Sequence, residues 1–132
     1  LVTSTDHPLA RKRSITVQEL LEQPLVLREE GSGTRAAALK ALAAACGKRE
    51  LANLRVSCEV GSTEACKAAV RAGLGVSFVS SLAIKDELAG KHLATTAVKG
   101  FDVRRAFHLV TRAEPLLSPA ARAFRLGAFS AA

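Results

Sequence analysis

An α/β domain, with a mixed sheet flanked by helices, is the fold this sequence predicts, and two copies of one local pattern predict it. Leu25-Val26-Leu27 is a short apolar run that reads as a strand. Gly31-Ser32-Gly33-Thr34 follows as a glycine-rich turn ending in hydroxyls, and residues 36–46 read as an Ala/Leu helix. The pattern then returns. Residues 55–60 read as a strand, Gly61-Ser62-Thr63-Glu64 as the start of a helix over 65–72, and Gly73 as its stop; Leu74-Gly75-Val76-Ser77-Phe78-Val79-Ser80 reads as the next strand. Strands alternating with helices argue for a parallel or mixed sheet.

The other elements take their places around these two units. Leu1-Val2-Thr3-Ser4 reads as the tail of a strand already under way, as expected of a piece of a longer chain. Residues 15–22 form a short helix: Thr16 caps it, Glu19 returns the bond, and Ile15 staples onto Leu20. Pro24 closes that helix. The 35–46 helix is apolar nearly all round, interrupted mainly by Lys40, so it is buried on several sides or covered by a partner subunit. Gly47 suits a left-handed position after its last turn. Ser81 caps a helix through residue 88, stopped by Gly90. Residues 93–98 and 103–111 read as strands, the second alternating Phe107, Leu109, Thr111 against Ala106, His108, Val110. Ser118-Pro119 starts a last helix that runs to about residue 129. Its face of Ala120, Phe124 and Gly127 or Ala128 needs something to cover it.

Composition narrows the function classes. With 132 residues, 48% of them apolar and 23% charged, the chain can form one globular domain with a real core. No apolar run is long enough to span a bilayer, and no signal-like region opens the chain. Cys46, Cys58 and Cys66 are odd in number and form no CxxC pair. Reduced, mostly buried thiols in a cytoplasmic protein are the expectation, with a redox switch left open. Absence of Trp and Tyr weakens any stacking platform for single-stranded nucleic acid. Behind the net charge of +7, Arg11-Lys12-Arg13 is the only tight basic run, with Lys48-Arg49 and Arg104-Arg105 as basic pairs elsewhere. Scattered charge of this kind serves solubility, or docking to an acidic neighbour, rather than a DNA groove.

The two strand-to-helix junctions carry the binding chemistry. Backbone N–H groups, hydroxyls and the positive end of a helix dipole favour a carboxylate or another small anion there. Taken singly, Ser62 and Thr34 read equally well as plain helix caps. Arg35 either neutralises an anion or points to solvent, and Arg28 and Glu29 pair at the rim. His7, His92 and His108 lack metal-ligand spacing, so neither metal nor cofactor is expected. There is no GxSxG, no HExxH, no P-loop lysine and no nucleophile beside a base, which argues against an enzyme.

Five stretches, in this order and spacing, resemble the effector-binding domain of LysR-type transcriptional regulators. They are Thr3-Ser4-Thr5-Asp6-His7-Pro8-Leu9-Ala10, Arg28-Glu29-Glu30-Gly31-Ser32-Gly33-Thr34-Arg35, Gly61-Ser62-Thr63-Glu64-Ala65, Ala72-Gly73-Leu74-Gly75-Val76-Ser77, and Leu117-Ser118-Pro119-Ala120-Ala121 with Phe124. The resemblance implies a type 2 periplasmic-binding-like fold, represented mainly by its second subdomain. Residues 1–4 would be a crossover strand from the first subdomain, 5–106 the second subdomain, and 107–132 the return strand and terminal helix of the first. It further implies a small, anionic effector in the cleft between subdomains, with Ser32, Gly33 and Thr34 as one wall, Thr63 as another, and Val79 and Ser80 as a strand-end edge. A homodimer is implied too, with DNA contacted only through an N-terminal domain outside this chain. The alternative on the same fold is a solute-binding protein of a transport system, which would require export and sits poorly with three unpaired cysteines.

Overall fold

The computed structural model describes residues 1–104 and 108–130. Its centre is the parallel pair β3 (Leu25–Arg28) and β4 (Val56–Val60), in register from Val26 opposite Cys58 to Arg28 opposite Val60. On the other side of β3 lies the stretch at Val76 and Ser77. Val26 N–H donates to the Val76 carbonyl and Val76 N–H to that of Pro24, both at 2.9 Å. Ser77 bridges onward to β1 (Val2–Thr3), which pairs antiparallel with β5 (Ala94–Thr95). A separate parallel pair joins β2 (Ser14–Ile15) to β6 (Ala97–Val98).

Successive residues of β3 point to opposite faces, and both faces are covered. Leu25 and Leu27 join Ile15, Leu20 and Leu42 beneath α1 (Val17–Leu21) and α2 (Gly33–Cys46). Val26 joins Val2, Cys66, Val70 and Ile84 beneath α4 (Thr63–Arg71), which follows the short α3 (Lys48–Leu51) and β4. The Leu25-Val26-Leu27 run is apolar throughout because it has no solvent face.

The capping box at α1 forms as expected. Thr16 Oγ1 accepts from Glu19 N–H at 3.2 Å, and Thr16 N–H donates to Glu19 Oε2 at 2.7 Å. Ile15 and Leu20 are both fully buried in the same cluster. The Lys12 ammonium, with the N–H and hydroxyl of Thr16, pushes the Glu19 carboxyl down to about 2 from an ordinary 4.5. A carboxylate favoured by the fold contributes fully above its unfolded pKa, and that contribution fades as pH falls through the folded value. Glu19→Gln should therefore flatten the loss of thermal stability between about pH 4.5 and 2 and leave the alkaline side unchanged, as followed by melting temperature against pH.

Several expected elements come out differently. The 74–80 stretch occupies its expected place in the sheet but forms ladder bonds only at Val76 and Ser77, and beyond them it leaves the sheet. The 93–98 strand divides at Thr96, because its halves serve different partners: β5 runs antiparallel to β1, and β6 parallel to β2. Buried Thr96 makes the switch, donating its hydroxyl to the Leu9 carbonyl at 2.7 Å and its N–H to the Leu1 carbonyl at 3.1 Å. The 81–88 helix is likewise two pieces, a 3-10 turn (Ser81–Ala83) and α5 (Lys85–Ala89), separated where Ile84 drops into the core at 3% exposure. The Ser81 side chain is not the cap. Gly47 has the expected positive φ of 91°, but its ψ of 159° is extended rather than left-handed helical.

Residues 103, 104 and 108–111 pair with no strand, and Val110 is 88% exposed. Apolar alternation makes a strand only beside a neighbour to pair with, and none among the described residues adjoins it. Ala106 and Phe107 lie outside the described residues. Further on, α6 (Pro119–Ser130) is capped by the Ser118 hydroxyl at 3.2 Å from Ala121 N, and Glu114 pairs with Arg122 and Arg125. Its Phe124 is 67% exposed, so the face that needed a cover has none among the described residues.

Candidate functional site

Because β3 and β4 run parallel, Arg28 and Val60 end side by side, and the helices that follow both start from that edge. The two junctions therefore meet in space. Ser32 caps α2, its hydroxyl oxygen accepting from Arg35 N–H at 3.4 Å; Ser62 caps α4 by accepting from Ala65 N–H at 3.0 Å. Of the two cap readings, that of Ser62 is therefore correct, while Thr34 is not a cap: it stands in the first turn of α2, and Ser32 takes that role.

Charged side chains tie the junctions together. The Arg28 guanidinium grips the Glu29 carboxylate with two bonds, at 2.7 and 2.8 Å, and donates from its remaining arm to Thr63 Oγ1 at 2.8 Å. This fork geometry suits arginine rather than lysine. The pairing raises the Arg28 pKa and lowers that of Glu29. Arg35 neither waits for an anion nor points to solvent: it bonds the Arg28 carbonyl at 2.8 Å and pairs with Glu59 on β4. The space between the junctions is thus filled by a hydrogen-bonded arginine. On the inner side of α4, Cys66 contacts the Ser77 hydroxyl at 3.2 Å, and burial pushes its thiol pKa up, away from reactivity.

Next to the α2 junction lies a cavity of about 530 Å³. Thr34, Ala37 and Ala38 of α2 form one wall; Val79, Ser80, Ser81 and Leu82 form the opposite one. Phe78 and Phe101, with rings 4.9 Å apart, line it as well, together with Leu1, Val103 and Arg104. No protein group among the described residues takes up the hydroxyls of Thr34 or Ser80.

Of the six residues expected to bind a ligand, Thr34, Val79 and Ser80 share this cavity. Ser32 lies behind them as the buried cap of α2, and Gly33 is the exposed first residue of that helix. Thr63 stands across the Arg28 bridge and does not line the cavity. Sequence reasoning missed Phe78, Phe101, Ala37 and Leu82. Phe78 precedes the expected Val79 directly, so continuing the strand-end argument by one residue would have found it; nothing in the sequence marks Phe101.

Such a hollow, beside a helix start and past the carboxyl ends of parallel strands, lies where open α/β domains place their ligands. Among known proteins the assignment is specific: the chain belongs to the LysR substrate-binding domain family, whose model matches residues 1–126. It is similar to the RuBisCO operon transcriptional regulator of Allochromatium vinosum, 43% identical over 95% of this chain and 40% of that protein. A protein of the same description from Acidithiobacillus ferrooxidans is 37% identical, over 99% of this chain and 41% of its own length. Among solved structures, the CcmR regulatory domain of Synechocystis PCC6803 in complex with 2-PG aligns with a TM-score of 0.74 at 28% identity, covering 98% of this chain and 60% of that one. The chain thus spans about 40% of the length of these curated relatives. The fold is the periplasmic-binding-like one expected, and the transport alternative is not favoured. No helix among the described residues is long and apolar enough to cross a membrane.

Proposed function

We propose that this chain is the effector-sensing part of a transcriptional regulator, and that a small anionic metabolite binds in the cavity between Thr34 and Ser80. One observation carries the reading: two hydroxyls without partners among the described residues line a half-apolar hollow at the start of a fourteen-residue helix. Hydroxyls and backbone amides bind an anion without the desolvation cost of burying a lysine. Ser32 holds α2 in place, Gly33 lets a ligand approach its first turn, and Thr63 stands at the far edge. That the related Synechocystis domain was solved with 2-PG supports the choice of ligand class.

The rest of the reading follows from the family. Residues 1–4 and 107–132 would belong to a first subdomain that closes over 5–106, and DNA would be held by an N-terminal domain in a homodimer. The apolar groove along Leu39, Ala43 and Leu51 suits a subunit contact. Binding alters DNA contacts only if the ligand prefers one arrangement of the subdomains. No catalytic role is assigned.

The test is a thermal-shift screen of the full-length protein against small carboxylates and phosphorylated compounds, 2-PG among them. A binder should raise the melting temperature with concentration. Thr34→Val, which keeps shape and removes the hydroxyl, should weaken its affinity about tenfold. A panel without a binder, or a binder indifferent to Thr34→Val, would count against the proposal.

A further inference from the structure

Lys67 lies on α4 with its side chain only 8% exposed, a rare place for an ammonium. Its three donors meet three acceptors: Glu64 Oε1 at 2.8 Å, the Ala83 carbonyl at 3.1 Å and Glu87 Oε1 at 2.5 Å. Glu64 is 79% exposed and lies on α4 itself, so the contacts that reach beyond the helix are the two to Ala83 and to Glu87, which is 17% exposed. Both lead to the cavity wall. The Ala83 carbonyl ends the 3-10 turn whose Ser81 and Leu82 line the hollow, and Ala83 N–H in turn holds the Ser80 carbonyl at 2.9 Å. Glu87 stands on α5, which continues from that turn.

We propose that Lys67 is a positioning residue for the ligand cavity, fixing the Ser80–Leu82 wall against α4 so that Ser80 faces Thr34 at a set distance. The cavity's role rests on the functional reading above. The turn has two anchors of different kinds, the apolar Ile84 below and the Lys67 ammonium beside it. Ile84 fixes depth without direction, whereas hydrogen bonds to Ala83 and Glu87 fix orientation. A buried ion pair often adds little net stability compared with an apolar residue of similar volume. Orientation is what it supplies instead.

In the full-length protein, Lys67→Met should preserve the circular dichroism spectrum and leave amide exchange in α2 and β3 unchanged. Exchange over residues 80–84 should quicken about tenfold or more. Affinity for inorganic phosphate, used as the probe, should fall about tenfold, since a wall that must be ordered on binding costs affinity. Should Lys67→Met not fold, Glu87→Gln carries the test, with the same local quickening to a smaller degree. Uniform quickening throughout the fold, none at 80–84, or local quickening with unchanged phosphate affinity would overturn the proposal. If phosphate does not bind the unaltered protein, the compound panel judges the ligand reading, and the exchange pattern alone decides the positioning role.

Discussion

Gly75→Ala is expected to remove most of the protein's stability, more than any other single methyl group added to this chain. Gly75 has φ +146°, and a Cβ there would stand 2.2 Å from the Pro24 carbonyl oxygen and 2.8 Å from its carbon. Neither atom can yield. That carbonyl accepts the Val76 N–H at 2.9 Å, and the Val76 carbonyl accepts from Val26 N–H, so moving Pro24 opens the centre of the sheet. Backbone strain and overpacking together should cost on the order of 3–5 kcal/mol, a large share of a small domain's stability. Gly73, also at positive φ (+77°), has nothing within 4 Å of its Cβ position and serves as the control. Its alanine variant should lose only about 1 kcal/mol. Urea midpoints of the two variants measure the contrast; equal midpoints would contradict it.

Leu42→Ala should be the next most damaging change. Leu42 is fully buried on α2 and packs in the cluster that holds Leu25, Leu27 and Val76. Truncation leaves a void between helix and sheet and should cost about 2–5 kcal/mol. The same helix carries Thr34, Ala37 and Ala38, so the cavity wall loses its support as the helix loses its anchor. Exposed Lys40 on the same helix should tolerate alanine within about 0.5 kcal/mol. Chemical denaturation distinguishes the two; a Leu42→Ala midpoint close to that of Lys40→Ala would show that α2 is not seated on the sheet by this residue.

Local signals told the truth where they were complete. Thr16 with Glu19, Ser62 before α4, and Ser118-Pro119 all start helices where a short side chain can accept the free N–H groups, while at α2 the cap is Ser32 and not the expected Thr34. A parallel or mixed sheet was legible because the strand-like stretches at 25–27 and 55–60 are separated by one helix, although which strands pair was not. What local pattern could not show was partner choice. Thr96 divides one apolar run between two neighbours, and Ile84 breaks a helix to reach the core. Both are decisions of tertiary packing, which overrides propensity. Residues 103, 104 and 108–111 show the reverse case, an alternating pattern that joins no strand among the described residues.

The site divides the same way. Serines and threonines at the junctions were visible as donors, but not which of them would remain unengaged. Thr63 is engaged by Arg28, thirty-five residues away in sequence, whereas Thr34 and Ser80 are left facing the cavity. Such pairings over long sequence separation leave no periodic trace. Lys67 is the clearest instance, an ordinary lysine in sequence that the fold buries against Ala83 and Glu87.

The most direct test is the crystal structure of the full-length protein with whichever compound the thermal-shift screen finds. Difference density for its anionic group within hydrogen-bonding reach of the Thr34 and Ser80 hydroxyls is the result expected. Density seated elsewhere, for instance in the Leu39–Leu51 groove, with the Thr34–Ser80 cavity left to solvent, would contradict the account.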